Sequence, residues 1–230
     1  MKDHHVVILG GSAGIGLAVA RAAAIANRVT IVSANRARLD NALSQVTATG
    51  KVCDLRDPAA IARLMPELGP IDHLVYTAGE ELLLAPLDQL DLAAAHRFFE
   101  LRYWGALAAI KAATVTKSIV LTSGSAGHRP HPGFLIGASI CAAMEAVTRV
   151  LAIELAPVRV NCVTPGFVDT ELWSNIPEAG RTQMFADAAA KLPVKRIGTP
   201  DDIAEHYLSF MRGGYVTGQH LIVDGGGVLV

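Results

Sequence analysis

Neither sign of charge dominates the 230-residue chain: 20 Lys and Arg stand against 21 Asp and Glu, a formal net charge of −1. Without a basic excess, nucleic acid and anionic membrane surfaces are poor partners, and a small ligand fits better. Cysteine is scarce. Cys53, Cys141 and Cys162 are an odd, widely spaced set, which offers neither a disulfide framework nor the paired spacing of a zinc site, so buried thiols are expected. His128 and His131 flank a proline without a neighbouring Cys or carboxylate, and no metal site is expected from them. No apolar run of about 20 residues escapes a charge or breaker, which argues against a membrane span. The opening MKDHHVVILGGSAGIG lacks the apolar region and cleavage site of a signal peptide, so a cytoplasmic location is expected. Linker-like Gly/Ser or Pro-rich tracts and solenoid repeats are also missing, leaving one domain over 1–230. One further absence matters most: from Ser118 through Ala190 the chain contains no Tyr and no Lys.

What is present is alternation. Short β-branched runs (HVVIL, RVTIVS, KVC, HLVY, SIVLT, VRVNCV, HLIV) are separated by alanine-rich stretches. The latter predict helices at about 14–26, 36–47, 58–68, 88–115, 136–156 and 200–211. The strands are continuously apolar rather than alternating, as strands buried on both faces are. The pattern is α/β: a single-domain, Rossmann-type, doubly wound parallel sheet of about seven strands with helices on both faces. In such sheets ligands bind beyond the carboxyl ends of the strands, so the residues following each strand carry the function. Residues 167–200 are the least regular stretch and read either as a substrate lid or as a pair of connecting helices.

After the first strand comes GGSAGIG, with Gly10, Ser12, Ala13, Gly14, Ile15 and Gly16 leading into a helix-like segment. Glycines there allow a tight turn and a close approach to a pyrophosphate, whose charge is stabilised by free N–H groups at the helix start. No Lys-Ser/Thr follows the last glycine, so a P-loop is disfavoured. At the end of the second strand, where a carboxylate would grip the ribose hydroxyls of NAD, the chain has Ser33-Ala34-Asn35-Arg36. Ser33 and Asn35 can hydrogen-bond a 2′-phosphate and Arg36 can neutralise it, which favours NADP(H) over NAD(H). Arg36 can equally be a solvated residue of the next helix's first turn.

These features resemble the short-chain dehydrogenase/reductase family from end to end. The glycine turn is similar to the family's TGxxxGIG, with Leu9 in place of the threonine. The resemblance continues in Asp54-Leu55, whose aspartate in the family contacts adenine, and in Thr77-Ala78-Gly79, where the family has NNAG. It extends through Pro165-Gly166-Phe167-Val168-Asp169-Thr170, similar to the PGxVxT segment that holds the nicotinamide carboxamide and phosphates, and through RIGTPDDIA and YVTGQHLIVDGG near the end. It implies an oxidoreductase that transfers hydride between nicotinamide and a small, apolar carbonyl or alcohol, assembled as a homodimer or homotetramer.

The family's proton chemistry does not carry over. Its usual Tyr falls on Gly137, the Lys four residues later on Cys141, the Ser on Gly124, and the Asn of the preceding helix on Arg102. Ser123 and Arg102 are the weak catalytic candidates that remain, the first able to donate to an oxyanion and the second to stabilise negative charge. Two functions stay open: an NADP(H)-dependent oxidoreductase with a non-standard proton donor, and a non-catalytic NADP(H)-binding sensor or assembly protein.

Overall fold

The computed structural model describes residues 1–230. Its centre is a seven-stranded sheet of β1 (His5–Leu9), β2 (Arg28–Ser33), β3 (Thr49–Val52), β4 (Ile71–Tyr76), β5 (Val115–Thr122), β6 (Arg159–Pro165) and β7 (His220–Val223). The order is β3-β2-β1-β4-β5-β6-β7, and every pairing is parallel. The chain therefore winds outward from β1 in one direction and from β4 in the other. The reversal between them opens a crevice at the carboxyl ends.

Both faces of the sheet are covered, as continuous apolar strands require. Because side chains alternate along a strand, Val6 and Ile8 of β1 enter one core with Ala18, Ile203 and Tyr207. Val7 and Leu9 enter the other with Leu64, Phe98 and Met144. Helices α1 (Gly14–Ala24) and α8 (Pro200–Arg212) cover the first face. On the second lie α3 (Pro58–Glu67), α4 (Leu92–Phe99), α5 (Gly105–Ala112) and α6 (Leu135–Glu154), while α2 (Arg36–Leu43) and α7 (Glu178–Lys191) complete the set. Helix α6 is long and apolar enough to cross a membrane by length and composition, yet it is a core helix whose Ile140, Met144 and Leu151 pack beneath the sheet.

The helix expected over 88–115 is interrupted. α4 and α5 are joined through a π-helical turn, Glu100–Trp104, whose wider hydrogen bonding takes up an extra residue without breaking the axis. Gly105, immediately after it, lies against the Leu55 carbonyl and the Tyr76 hydroxyl, leaving no space for a Cβ. Residues 167–200 contain a short turn, Glu171–Trp173, followed by α7. The segment is anchored by buried Trp173, stacked on Phe167 with ring centroids 5.3 Å apart.

At the opposite end of the sheet, buried His73 bonds Ser118 Oγ through Nδ1 at 2.7 Å and His4 through Nε2 at 2.9 Å. Burial, helped by the nearby His4 charge, lowers its pKa from 6.5 to about 4. Between those values the unfolded chain binds a proton that the folded chain refuses. The stabilising effect is thus complete above pH 6.5 and is lost as pH falls toward about 4, at up to about 1.4 kcal/mol per pH unit. Urea unfolding at pH 7 and pH 4.5 should show this loss, and a His73→Gln variant should show a smaller difference between the two.

Candidate active site

The crevice is a cavity of ≈ 1440 Å3, larger than the few hundred to about 1,000 Å3 typical of a site for one small ligand. One end is built by the turn after β1. Gly10 has φ +92°, and a side chain there would run into the backbone of Ala78. A Cβ on Gly16 would meet the Gly10 carbonyl and Thr77 Oγ1. The turn is held by the Thr77 N–H, which donates to the Leu9 carbonyl at 2.9 Å, and by its hydroxyl, which donates to the Gly10 carbonyl at 3.2 Å.

Helix starts in this fold differ in their caps: α5, α6 and α7, like α1, have no side-chain cap. Helices α2, α3, α4 and α8 are capped by the side chains of Asn35, Asp57, Asp91 and Thr199. At α1 the cap position is Ala13, with no side-chain bond and no acidic residue in the first turn. Its backbone donors face a cavity that Ser12, Ala13, Gly14 and Ile15 line. Uncapped donors and the positive helix end, reached through glycines that admit no side chain, suit a pyrophosphate.

The remaining expected cofactor residues gather on the same cavity: Ser33, Asn35, Asp54, Leu55, Thr77, Ala78, Gly79, Pro165, Gly166, Val168 and Thr170. Ser12 Oγ donates to Ser33 Oγ at 2.9 Å. Asp54, bound to the Arg56 guanidinium at 3.1 Å, has its pKa lowered by that bond. Arg36 does not line the cavity. As the first residue of α2 it turns along the helix and pairs with Asp40 one turn on, at 2.9 Å. Arg38 lines the cavity instead, its N–H bonded to the Asn35 cap at 2.9 Å. Asn35 is a strong N-cap residue, and with α2 starting after it Arg36 runs along the helix to Asp40 while Arg38 lies on the cavity side.

The other end of the cavity is lined by Gly137 and Cys141. At Gly137, which the sequence resemblance aligns with the family's tyrosine, a Cβ would have no neighbour within 4 Å. Cys141 reaches toward Gly124, where a Cβ would lie 3.0 Å from its sulfur. Burial raises the Cys141 pKa against the opposing pulls of Ser123 and Arg102, keeping the thiol protonated at neutral pH. Ser123 lines the cavity, and its Oγ is already engaged, 3.0 Å from both the Cys141 carbonyl and Glu145 Oε1.

Arg102 projects from the π turn and lines the cavity. Its guanidinium packs so closely on Gly79 that a side chain there would collide with it. It donates to the Glu80 carbonyl and lies 4.5 Å above the Phe98 ring. Nε has no partner, and no carboxylate forms an ion pair with the group. Burial lowers its pKa, though arginine stays charged. Its charge also acts on Cys141.

Across residues 1–230 the chain matches the family model described as an SDR-like Rossmann domain. It belongs to the short-chain dehydrogenase/reductase family. One relative of this SDR protein is the short-chain dehydrogenase/reductase ATR9 of Stachybotrys chlorohalonatus, 33% identical over 251 residues, with 100% of this chain and 98% of the relative covered. Among solved structures, a small-chain dehydrogenase in complex with NADPH superposes with a TM-score of 0.88 at 31% identity, both chains being covered fully. The MalC reductase/Diels–Alderase from Malbranchea aurantiaca gives 0.93 at 28% identity, with 100% of this chain and 98% of MalC covered. The SDR chain is thus built as a nicotinamide-dependent oxidoreductase, and its parallel sheet and helical layers are those of the family.

Proposed function

We propose that this SDR protein is an NADP(H)-dependent reductase or dehydrogenase in which Arg102 supplies the positive charge that the family usually draws from lysine. The observation carrying the reading is the buried guanidinium against Gly79, without a carboxylate partner, lining the cavity beside Cys141. A charge held that way gains a partner only when negative charge develops next to it, as it does on a carbonyl oxygen during reduction.

When bound, the nicotinamide would supply hydride transfer. The glycine turn and the start of α1 hold the pyrophosphate, and Arg38 with Ser33 receives the 2′-phosphate. Arg102 stabilises the oxyanion, and the proton comes from water or a substrate group, since Gly137 and Cys141 cannot act as the missing pair. Ser123, which lines the cavity, serves as a positioning residue that ties the end of β5 to α6 through the Cys141 carbonyl and Glu145. Phe134, Leu172, Trp173 and Met184 make the substrate end apolar, which supports a small or medium apolar carbonyl or alcohol. Holding donor and acceptor together can contribute about 7 kcal/mol or more, whereas general-acid help is typically about 10²–10⁴-fold, so turnover without the tyrosine is feasible.

The test is NADPH consumption over a broad carbonyl panel. Turnover that disappears with Arg102 supports the reading; tight NADPH binding with no turnover on any carbonyl sinks it. In that second outcome the non-catalytic NADP(H)-binding reading stands. A Gly137→Tyr, Cys141→Lys double variant that then acquires turnover would identify a scaffold poised but disarmed.

Cofactor choice has its own check. Ser33→Asp places a carboxylate at the end of β2, where it repels a 2′-phosphate and accepts from ribose hydroxyls. NADP(H) affinity should fall by roughly tenfold or more while NAD(H) affinity rises, read by fluorescence titration. Unchanged preference would remove Ser33 from the 2′-phosphate site. Exposed Leu92, Trp104 and Ile153 support self-association into a homodimer or homotetramer, which light scattering would detect.

A further inference from the structure

Behind the Ser123 wall, outside the cavity, lies a buried carboxylate that the proposed reaction does not use. Glu145 on α6 is only 7% exposed. Its Oε1 accepts from Ser123 Oγ and Thr164 Oγ1, each at 3.0 Å, and lies 2.9 Å from His128 Nε2. Its Oε2 faces His220 Nε2 at 3.8 Å, too far for a hydrogen bond. The two imidazoles stack, with centroids 5.4 Å apart and planes 27° apart. No Lys or Arg pairs with Glu145; the two imidazoles are the side chains facing its oxygens from the loop after β5 and from β7.

We propose that His128, Glu145 and His220 form a divalent-cation site whose preferred occupant is Zn2+. One ligand atom from each of the three residues lies within 4.8 Å of the others. Bond lengths of about 2.0–2.2 Å for imidazole nitrogen and carboxylate oxygen place neighbouring ligand atoms of a tetrahedral zinc roughly 3.3 Å apart. Glu145 presents Oε1 to His128 Nε2 at 2.9 Å and Oε2 to His220 Nε2 at 3.8 Å, separations on either side of that value, and small rotations of the partly exposed rings would bring both nitrogens to bonding distance of one cation. Donor chemistry points the same way: two imidazoles and one carboxylate, with the fourth position open to water, make a familiar zinc set. The Ser123 and Thr164 hydroxyls, each 3.0 Å from Oε1, orient the carboxylate, as outer partners of a metal ligand do.

The three ligands come from different parts of the fold: the loop after β5, the middle of α6 and the first residue of β7. Bound zinc would therefore clip the edge strand to α6, and through Glu145 it would reach Ser123 on the cavity wall. No local sequence spacing reveals this set, because only the sheet order brings β7 beside β6 and its Thr164.

The experiment uses the full-length protein, stripped with chelator and titrated with Zn2+ by calorimetry, with Co2+ as a spectroscopic substitute. One equivalent of Zn2+, a tetrahedral Co2+ spectrum and a higher Tm on metal addition are expected. His220→Ala and His128→Ala should each weaken Zn2+ binding by roughly 100-fold or more, whereas His96→Ala, at an exposed position of α4, should not. Because both ligand histidines are partly exposed, these variants should fold even if Glu145→Gln does not. Absence of Zn2+ binding at micromolar free metal, or binding that survives both histidine substitutions, would overturn the proposal. None of these readouts requires turnover, so the outcome is independent of the catalytic reading.

Discussion

Arg102→Met is expected to reduce kcat on any carbonyl turned over by the parent by roughly 10²–10³-fold, the typical consequence of removing one preorganised oxyanion donor. Methionine keeps an apolar stem over Phe98 but removes the charge. The substitution also relieves a buried guanidinium whose Nε has no partner, so the variant should be at least as stable as the parent. Lower kcat, unchanged NADPH affinity and an equal or higher Tm form a combination that a merely structural arginine would not give. Arg102→Lys should recover part of the loss, because a point charge remains while the planar fork is gone. Steady-state kinetics, cofactor titration and thermal melts on the three proteins decide the matter. Parent-like kcat in Arg102→Met would end the catalytic assignment.

The second large effect concerns the glycine turn. Gly10→Ala should abolish measurable NADPH binding and lower the Tm by several degrees. At φ +92° a side chain is strained wherever it points, and this one would be driven into the Ala78 backbone, which cannot yield without moving β4's end. An L-residue in left-handed conformations loses about 1–2 kcal/mol before any collision is counted. Gly137→Ala is the contrasting change. Inside α6, with no neighbour within 4 Å of its Cβ, it should stabilise the helix by about 0.5–1 kcal/mol. Circular dichroism melts of the two variants should move in opposite directions.

Much of this arrangement was legible before any coordinates. Continuous apolar strands between alanine-rich helices state their own burial, and a glycine turn between the first strand and helix states where a pyrophosphate goes. Those signals are local, depending on periodicity and on backbone angles that few residues tolerate. Arg36 and Arg38 mark the limit of such reading. Both stand near the expected phosphate, and only the folded helix shows that Arg36 pairs with Asp40 while Arg38 lies on the cavity side. Arg102 could be flagged as an odd residue at an asparagine position, but its inward course depends on a π turn within what reads as one helix over 88–115. Glu145 carried no signal, since its partners lie on other elements and meet it only through sheet order.

The π turn at Glu100–Trp104 makes the position of the guanidinium a matter of counting. Each residue of an α-helix advances the side-chain direction by about 100°. Deleting one residue from this turn would restore a regular helix with both flanks still in register, and would turn a side chain inside the turn by an angle of that order. The sequence around Arg102 could then stay chemically identical while its charge left the cavity. In this helix a single-residue insertion works as an angular setting, and homologous chains that differ by one residue there would aim the same arginine at a different place.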